Sequence, residues 1–266
     1  VRARKRFGQH FLEPVWADKV VGAIAPQPSD VFLEIGPGRG VLTLKLASRV
    51  ARLVAVEIDR DLIAELTPKL PPNATLVSGD VLEIDLQSLI SAPASGPIRV
   101  AGNLPYNIST PVLLALLRLE SARSLRDATL MLQREVAARI SARAGTAEYG
   151  SLSVMVQWRA EVTRLLTIPP GAFRPQPEVH SALVRLTFRP PPYALKDTGV
   201  FEEMTRAMFT RRRKALTNAL TPFGAAVGLS AQDALRSAGI DPKRRPETLE
   251  IVEIARLADV FAAAKM

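Results

Sequence analysis

The chain has no cysteine and only two histidines, His10 and His180. The first absence excludes disulfides, thiolate nucleophiles and cysteine-held zinc. The second leaves little material for histidine-based metal or acid–base chemistry, so no metal site is expected. No apolar run approaches the roughly 18 residues that a membrane helix needs. The basic N-terminus is not followed by the apolar segment of a secretory signal. A cytoplasmic protein with no membrane contact is the expectation, and a chain beginning at Val1 leaves its native N-terminus open.

What is present is a long, apolar and basic chain. At 266 residues and 47% hydrophobic content it supports one large domain and a smaller one. The formal net charge is +9, which points to a polyanionic partner. The cations cluster in Arg2, Arg4, Lys5 and Arg6, in Arg211, Arg212, Arg213 and Lys214, and in Lys243, Arg244 and Arg245. One such run is usually a solvated face; three on a chain this basic favour nucleic acid. Arginine exceeds lysine, which fits phosphate recognition by guanidinium forks, although a GC-rich genome gives the same bias.

Strand and helix patterns alternate through the first two thirds. Short apolar runs at Val31–Ile35, Leu53–Ile58, Thr75–Ser78, Ile98–Ala101 and Ala128–Leu132 read as strands, with helical patterns at Val41–Val50 and Asp61–Leu70 between them. This predicts a doubly wound, mostly parallel α/β sheet. Val162–Ile168 and Ala182–Phe188, joined by a Pro-rich loop without a helix, predict an antiparallel pair on one edge. Pro190-Pro191-Pro192 reads as a stiff linker. Phe201, Met204 and Met208 then open a helical region. The expected domains are residues 1–189 and a small all-helical domain, residues 190–266.

Polar residues gather at the ends of successive strands. Glu34-Ile35-Gly36-Pro37-Gly38-Arg39-Gly40 follows the first strand, and its glycines let a ligand approach the backbone. Val41 stands where a dinucleotide fingerprint has its third glycine, and the E-x-G-x-G form suits S-adenosylmethionine instead. Glu57 ends the second strand, where a carboxylate can take both ribose hydroxyls. Asp80 follows the third and is placed to accept from an adenine amino group. Each alone reads equally as a packing glycine or a solvated strand-end acid.

The fourth strand ends in Asn103-Leu104-Pro105-Tyr106. An amine on an aromatic base is a poor nucleophile because its lone pair is delocalised into the ring. The Asn103 side-chain oxygen and the Leu104 carbonyl offer two acceptors for its N–H groups, pushing the nitrogen toward tetrahedral geometry. Pro105 biases Leu104 to an extended backbone, and Tyr106 offers a stacking face. An Asn-Pro turn with a half-buried tyrosine is the plain alternative. Methyl transfer from a sulfonium needs no metal and is served by alignment and preorganised acceptors.

With these residues in place, the chain resembles the ribosomal RNA adenine dimethyltransferases of the KsgA type over nearly its whole length. Arg4–Leu12 is similar to the family's amino-terminal signature, and Glu34–Gly40, Glu57, Gly79-Asp80 and Asn103–Tyr106 follow in the family's order. Tyr149–Val154, Pro169–Pro175, Arg211–Asn218 and Gly239–Pro242 are similar to further family blocks. The resemblance implies a Rossmann-like class I methyltransferase domain followed by a small helical one. It also implies transfer of methyl groups from S-adenosylmethionine to N6 of two adjacent adenosines in the 3′-terminal hairpin loop of small-subunit ribosomal RNA, with a part in subunit biogenesis. Residues carried over are Gln9, His10, Leu12, Gly36, Gly38, Glu57, Asp80 and Asn103 for the donor, and Asn103–Tyr106 with Phe173 for the target base. Phe173 reads equally well as a core residue. Arg4, Lys5, Arg6, Arg211–Lys214 and Lys243–Arg245 would hold RNA phosphates, in a monomer acting on a pre-assembled small subunit. His10 departs from the family's usual Asn, which puts that contact's geometry in doubt.

Other readings stay open. They are a large-subunit adenine methyltransferase of the macrolide-resistance type, a non-catalytic RNA-binding assembly factor, and a DNA adenine methyltransferase. A nicotinamide dehydrogenase lacks the third glycine and an evident proton donor.

Overall fold

A computed structural model describes residues 9–91, 97–118 and 125–265. The chain divides into two compact units, Val1–Ala137 with Ala160–Arg189, and Ala138–Arg159 with Pro190–Met266. Its elements are β1 (Phe11–Leu12), α1 (Pro14–Ile24), β2 (Val31–Ile35), α2 (Val41–Ala47), β3 (Arg52–Glu57), α3 (Arg60–Leu66), β4 (Ala74–Ser78), α4 (Leu86–Ser91), β5 (Ile98–Asn103), α5 (Ser109–Arg118), β6 (Leu125–Gln133) and α6 (Arg134–Ile140). After these come α7 (Ser151–Arg159), β7 (Ala160–Ile168), β8 (Phe173–Arg174), β9 (Ser181–Phe188), α8 (Thr198–Thr210), α9 (Leu216–Val227), α10 (Ala231–Ser237) and α11 (Ile251–Lys265).

The first unit is built on a seven-stranded sheet in the order β4-β3-β2-β5-β6-β9-β7. β4 through β6 run parallel. β9 pairs antiparallel with both β6 and β7, and β7 forms the edge, as the helix-free connection between them requires. The central strands β2, β3 and β5 are buried almost throughout, which fits a parallel sheet covered on both faces. In α1, Ala17, Val20, Val21 and Ile24 recur at i, i+3, i+4 and i+7 and are fully buried in the same apolar cluster as Phe32 of β2, Ala55 of β3 and Leu183 of β9. Burial of each Val or Ile contributes about 1.5–3 kcal/mol, so a charged residue at Val20 would detach this helix.

The far end of α1 is closed by arginines rather than by glycine. Ala25 takes the left-handed C-cap conformation at φ 50°. Arg99 of β5 donates to the carbonyls of Ile24 at 2.8 Å and Ala25 at 3.2 Å, and Arg185 of β9 to those of Ala23 and Ile24 at 2.8 and 2.9 Å. Both guanidiniums therefore occupy helix-end carbonyls that would otherwise be orphaned.

Three expectations shift. α2 ends at Ala47, short of the expected Val50. α3 stops at Leu66 instead of Leu70, because Pro68 lacks the N–H that a continued helix needs, and Thr67–Lys69 tightens into a 3-10 turn. Residues 138–159 belong to the second unit, not to the first domain as expected. The reason is aromatic burial: the Trp158 ring lies 5.2 Å from Phe201 and 5.5 Å from Tyr193, and the Tyr149 hydroxyl donates to the Leu249 carbonyl at 3.0 Å. Outside residues 138–159 this unit is helical, with α8 capped by Asp197 accepting from the Val200 N–H. Among the described residues no helix is long and apolar enough to cross a membrane.

Candidate active site

The register of the sheet brings the polar strand ends to one level. Ile35 pairs with Val56 on one side and Gly102 on the other, and Glu57 pairs with Ser78. Gly36, Glu57, Asp80 and Asn103 thus emerge side by side at the carboxyl ends of four neighbouring strands. Gly102 makes this possible, since a Cβ there would stand 2.6 Å from the Ile35 carbonyl oxygen. These ends enclose a cavity of about 270 Å³, lined among others by Gln9, His10, Phe11, Gly36, Gly38, Glu57, Asp80 and Asn103–Tyr106. Gly38 has φ 57°, and a side chain on it would press on the Phe11 ring. Arg39 covers that ring from beyond, its guanidinium 4.4 Å from the centroid.

Glu57 is almost fully buried. Its Oε2 accepts from the Gly38 N–H at 3.1 Å, and its Oε1 from the N–H groups of Ile58 and Asp59 at 2.9 Å. Burial pushes its carboxyl pKa up, with those N–H bonds pulling back. An ionised carboxylate has about four acceptor positions, so three bonds leave capacity for a ligand hydroxyl. Asp80 has Oδ1 engaged by the Leu82 N–H at 2.9 Å while its side chain lines the cavity. Gln9 donates to Asp59 Oδ2 at 3.1 Å, tying the start of the described chain to the cavity wall.

On the opposite wall the Asn103 Nδ2 donates to the His10 carbonyl at 2.7 Å. That bond fixes the amide's orientation and leaves Oδ1 as the acceptor at its other end. The Tyr106 hydroxyl and Ser181 Oγ lie 2.7 Å apart, and the Tyr106 ring is 5.4 Å from the His10 ring at an interplanar angle of 29°. The His10 Nδ1 donates to the Pro175 carbonyl at 2.8 Å. His10 therefore joins three parts: through its ring the Pro-rich loop and the tyrosine face, and through its backbone carbonyl the Asn103 amide.

Two expected residues lie elsewhere. Phe173 is only 1% exposed, pairs with Leu12 and belongs to the apolar core, so the structure does not bring it to the cavity. Leu12 is also buried and borders a smaller cavity of about 40 Å³ next to the first. Their side chains are consumed in joining β1 to β8, a two-stranded pairing that two-residue runs do not reveal. Conversely, Phe11, Ser181 and the buried Glu34 carboxyl stand at or beside the site without a sequence-based role of their own. Ser181 reaches Tyr106 only because β9 pairs with β6, a contact across 75 residues with no local signature.

In the second unit the basic clusters sort into two kinds. Arg244 donates to both Glu253 oxygens at 2.6 and 2.9 Å, and Arg212 to Glu247 at 3.0 Å and to the Ala147 carbonyl at 2.8 Å. Arg211, Arg213, Lys214, Lys243 and Arg245 are exposed. Thr210–Lys214, Asn218 and Thr221 border a groove of about 580 Å³. Arg4, Lys5 and Arg6 lie outside the described residues.

Residues 1–263 match the family described as "Ribosomal RNA adenine dimethylase". Ribosomal RNA small subunit methyltransferase A of Pseudomonas savastanoi pv. phaseolicola is 44% identical over 265 residues, covering 98% of this chain and 95% of that protein. The protein of the same name from Acinetobacter baylyi is 44% identical over 263 residues, covering 97% and 92%. A dimethyladenosine transferase from Plasmodium falciparum shares the fold, with a TM-score of 0.75 at 23% identity over 93% of this chain and 96% of that one. The 23S rRNA methyltransferase ErmE superposes with a TM-score of 0.64 at 25% identity over 94% and 99%. The Rossmann-like α/β fold with a helical second part is thus the one expected from the sequence. The chain belongs to the ribosomal RNA adenine dimethylase family and is an S-adenosylmethionine-dependent methyltransferase.

Proposed function

We propose that the protein dimethylates N6 of two adjacent adenosines in the 3′-terminal hairpin loop of small-subunit ribosomal RNA, acting as a monomer on a pre-assembled cytoplasmic subunit and contributing to its biogenesis. The observation that carries this reading is the Asn103 amide, anchored through Nδ2 with Oδ1 left as an acceptor, in a residue that lines a cavity whose wall continues into Leu104, Pro105 and Tyr106. An acceptor pair beside a flat aromatic face suits an exocyclic amine on a flipped base, and such a base is available only outside a stacked helix. The relatives' printed names supply the small-subunit RNA.

The donor fits the residues present: a glycine turn that lets ligand reach the backbone, Glu57 with acceptor capacity left, Asp80 on the far wall, and Gln9 and His10 closing the near side. The bound donor supplies a methyl group already activated on a sulfonium. The chain's own work is then positional. Glu57 and Asp80 hold the nucleoside end, while Asn103 Oδ1 and the Leu104 carbonyl align the amine. Tyr106, braced by Ser181, sets the plane of the base. Arg211, Arg213, Lys214, Lys243 and Arg245 hold phosphates, with Arg4–Arg6 as a further arm.

Labelled methyl transfer from S-adenosylmethionine to unmethylated small-subunit particles, with large-subunit RNA in parallel, tests this. Dimethyladenosine confined to the small-subunit hairpin is the expected result. Label in large-subunit RNA would move the protein to the activity named for ErmE, and RNA binding without label to a non-catalytic assembly role.

A further inference from the structure

Glu34 sits in the middle of the sheet, paired on either side with Ala55 and Ala101. It is 1% exposed, and its Oε2 has no hydrogen-bond partner. The hydroxyl of Thr43, on the helix that follows the glycine turn, is equally buried, has no well-formed hydrogen bond, and is the polar side chain that acts on the Glu34 carboxyl. Among the described residues no cation pairs with Glu34. Its carboxyl borders the smaller cavity of about 40 Å³, and Phe11, Gly36, Gly38 and Asn103 line both that cavity and the main one. The space exceeds the share of one liquid water, about 30 Å³, so it admits one small polar group entering from the main cavity.

A bare carboxylate in that position is costly, because a buried charge needs a partner or a proton. The charged groups around it do not supply one. Glu57, the next acid on β3, repels a second negative charge. Arg39 also borders the small cavity, but its guanidinium lies over the Phe11 ring. Burial pushes the Glu34 pKa up to about 8, with the neighbouring Thr43 hydroxyl pulling it back and the Glu57 charge adding to the rise.

We propose that Glu34 carries a proton in the donor-free protein and surrenders it when the donor's ammonium group arrives, so that donor uptake is coupled to release of one proton. The inference rests on the donor reading above. The O–H bond of the carboxyl breaks, the proton passes to solvent, and the carboxylate is left paired with the incoming cation, directly or through a single water. Glu34 is then a positioning residue for the amino-acid end of the donor. It also gates affinity by pH: deprotonated protein accepts the cation without the cost of removing a proton.

The test is calorimetric titration of S-adenosylmethionine into the full chain near neutral pH, in buffers that differ in protonation enthalpy, for wild type and Glu34→Gln. Wild type should release close to one proton per donor bound, and its affinity should rise toward tenfold per pH unit below about pH 8. Glu34→Gln should lose that release and that slope. The donor's own amine titrates in both proteins and drops out of the difference. Infrared difference spectra of wild type alone give a second readout that needs no variant, since a protonated-carboxyl stretch should disappear on donor binding. Donor binding without proton release, or an unchanged carboxyl band, overturns the proposal and leaves the donor reading standing. Failure of wild type to bind the donor at any pH removes both.

Discussion

At the amino ends of β2, β5 and β6, Arg99 meets Asp127 with Nε at 3.0–3.1 Å and Asp30 with Nη1 at 2.7 Å, and Arg126 reaches Asp30 from the surface at 3.3 Å. Every one of these charges is paired, and the spare donors close the end of α1. At the carboxyl ends of the same strands the chain leaves a cavity, an Asn103 oxygen kept for something else, and a buried Glu34 oxygen with no partner. The two ends belong to the same apolar sheet. The contrast separates polar groups that stabilise from polar groups held ready for a ligand.

Breaking the paired end should have the largest effect. Arg99→Ala leaves both Asp127 and Asp30 with only the half-exposed Arg126, at 3.5 and 3.3 Å, and removal of one member of a buried ion pair costs about 3–5 kcal/mol. Chemical denaturation should show that loss, while the donor affinity of the folded fraction stays near wild type. A variant that instead kept its stability and lost donor binding would collapse the distinction between the two ends. Breaking the unpaired end should do the reverse. Asn103→Ala should lower methyl transfer by about 100- to 1,000-fold, the usual cost of deleting one preorganised polar group, with RNA affinity and unfolding midpoint little changed. Equal loss of RNA binding would mean that Asn103 is there to hold the Phe11 segment in place.

The pH dependence of stability sharpens the comparison further. The folded pKa of Glu34 is raised from 4.5 to about 8, and that of Glu57 is raised as well. The folded protein therefore binds these protons more tightly than the unfolded chain does. The Glu34 contribution is complete below about pH 4.5 and is lost as pH rises through about 8, and Glu57 acts in the same direction. Donor-free protein should melt progressively lower across that window, Glu34→Gln should flatten the trend, and saturating donor should oppose it. A melting temperature that instead rises with pH across the window in donor-free protein would contradict the burial of Glu34.

Much of this was readable in the chain because parallel strands are nearly continuous apolar runs and their ligands lie in the residues that end them. Val31–Ile35 is found as read, and Gly36, Glu57, Asp80 and Asn103 converge as their positions imply. What escaped depends on contacts without local periodicity. The β1–β8 pairing takes Leu12 and Phe173 into the core; Ser181 meets Tyr106 across the sheet; Trp158 and Tyr149 carry residues 138–159 into the second unit. Arg99 and Asp127 carry no local signal either, and only the register of their strands shows that they answer each other.

The same division between paired and unpaired charge extends to the basic clusters, where it makes the smallest prediction. Arg244 and Arg212 are half-buried and committed to Glu253 and Glu247, so they hold loops rather than await phosphates. Arg213 and Lys214 are exposed beside the groove. Arg213→Ala should reduce the slope of log affinity for RNA against log salt by about 0.7–0.9, the value of one phosphate contact. Arg244→Ala should leave that slope unchanged and lower the unfolding midpoint slightly, since a half-exposed pair contributes little. The opposite result, with the Arg244 variant losing salt dependence and Arg213 silent, would mean that Glu253 releases Arg244 when RNA arrives, and that pairing in the free protein does not mark a charge as structural.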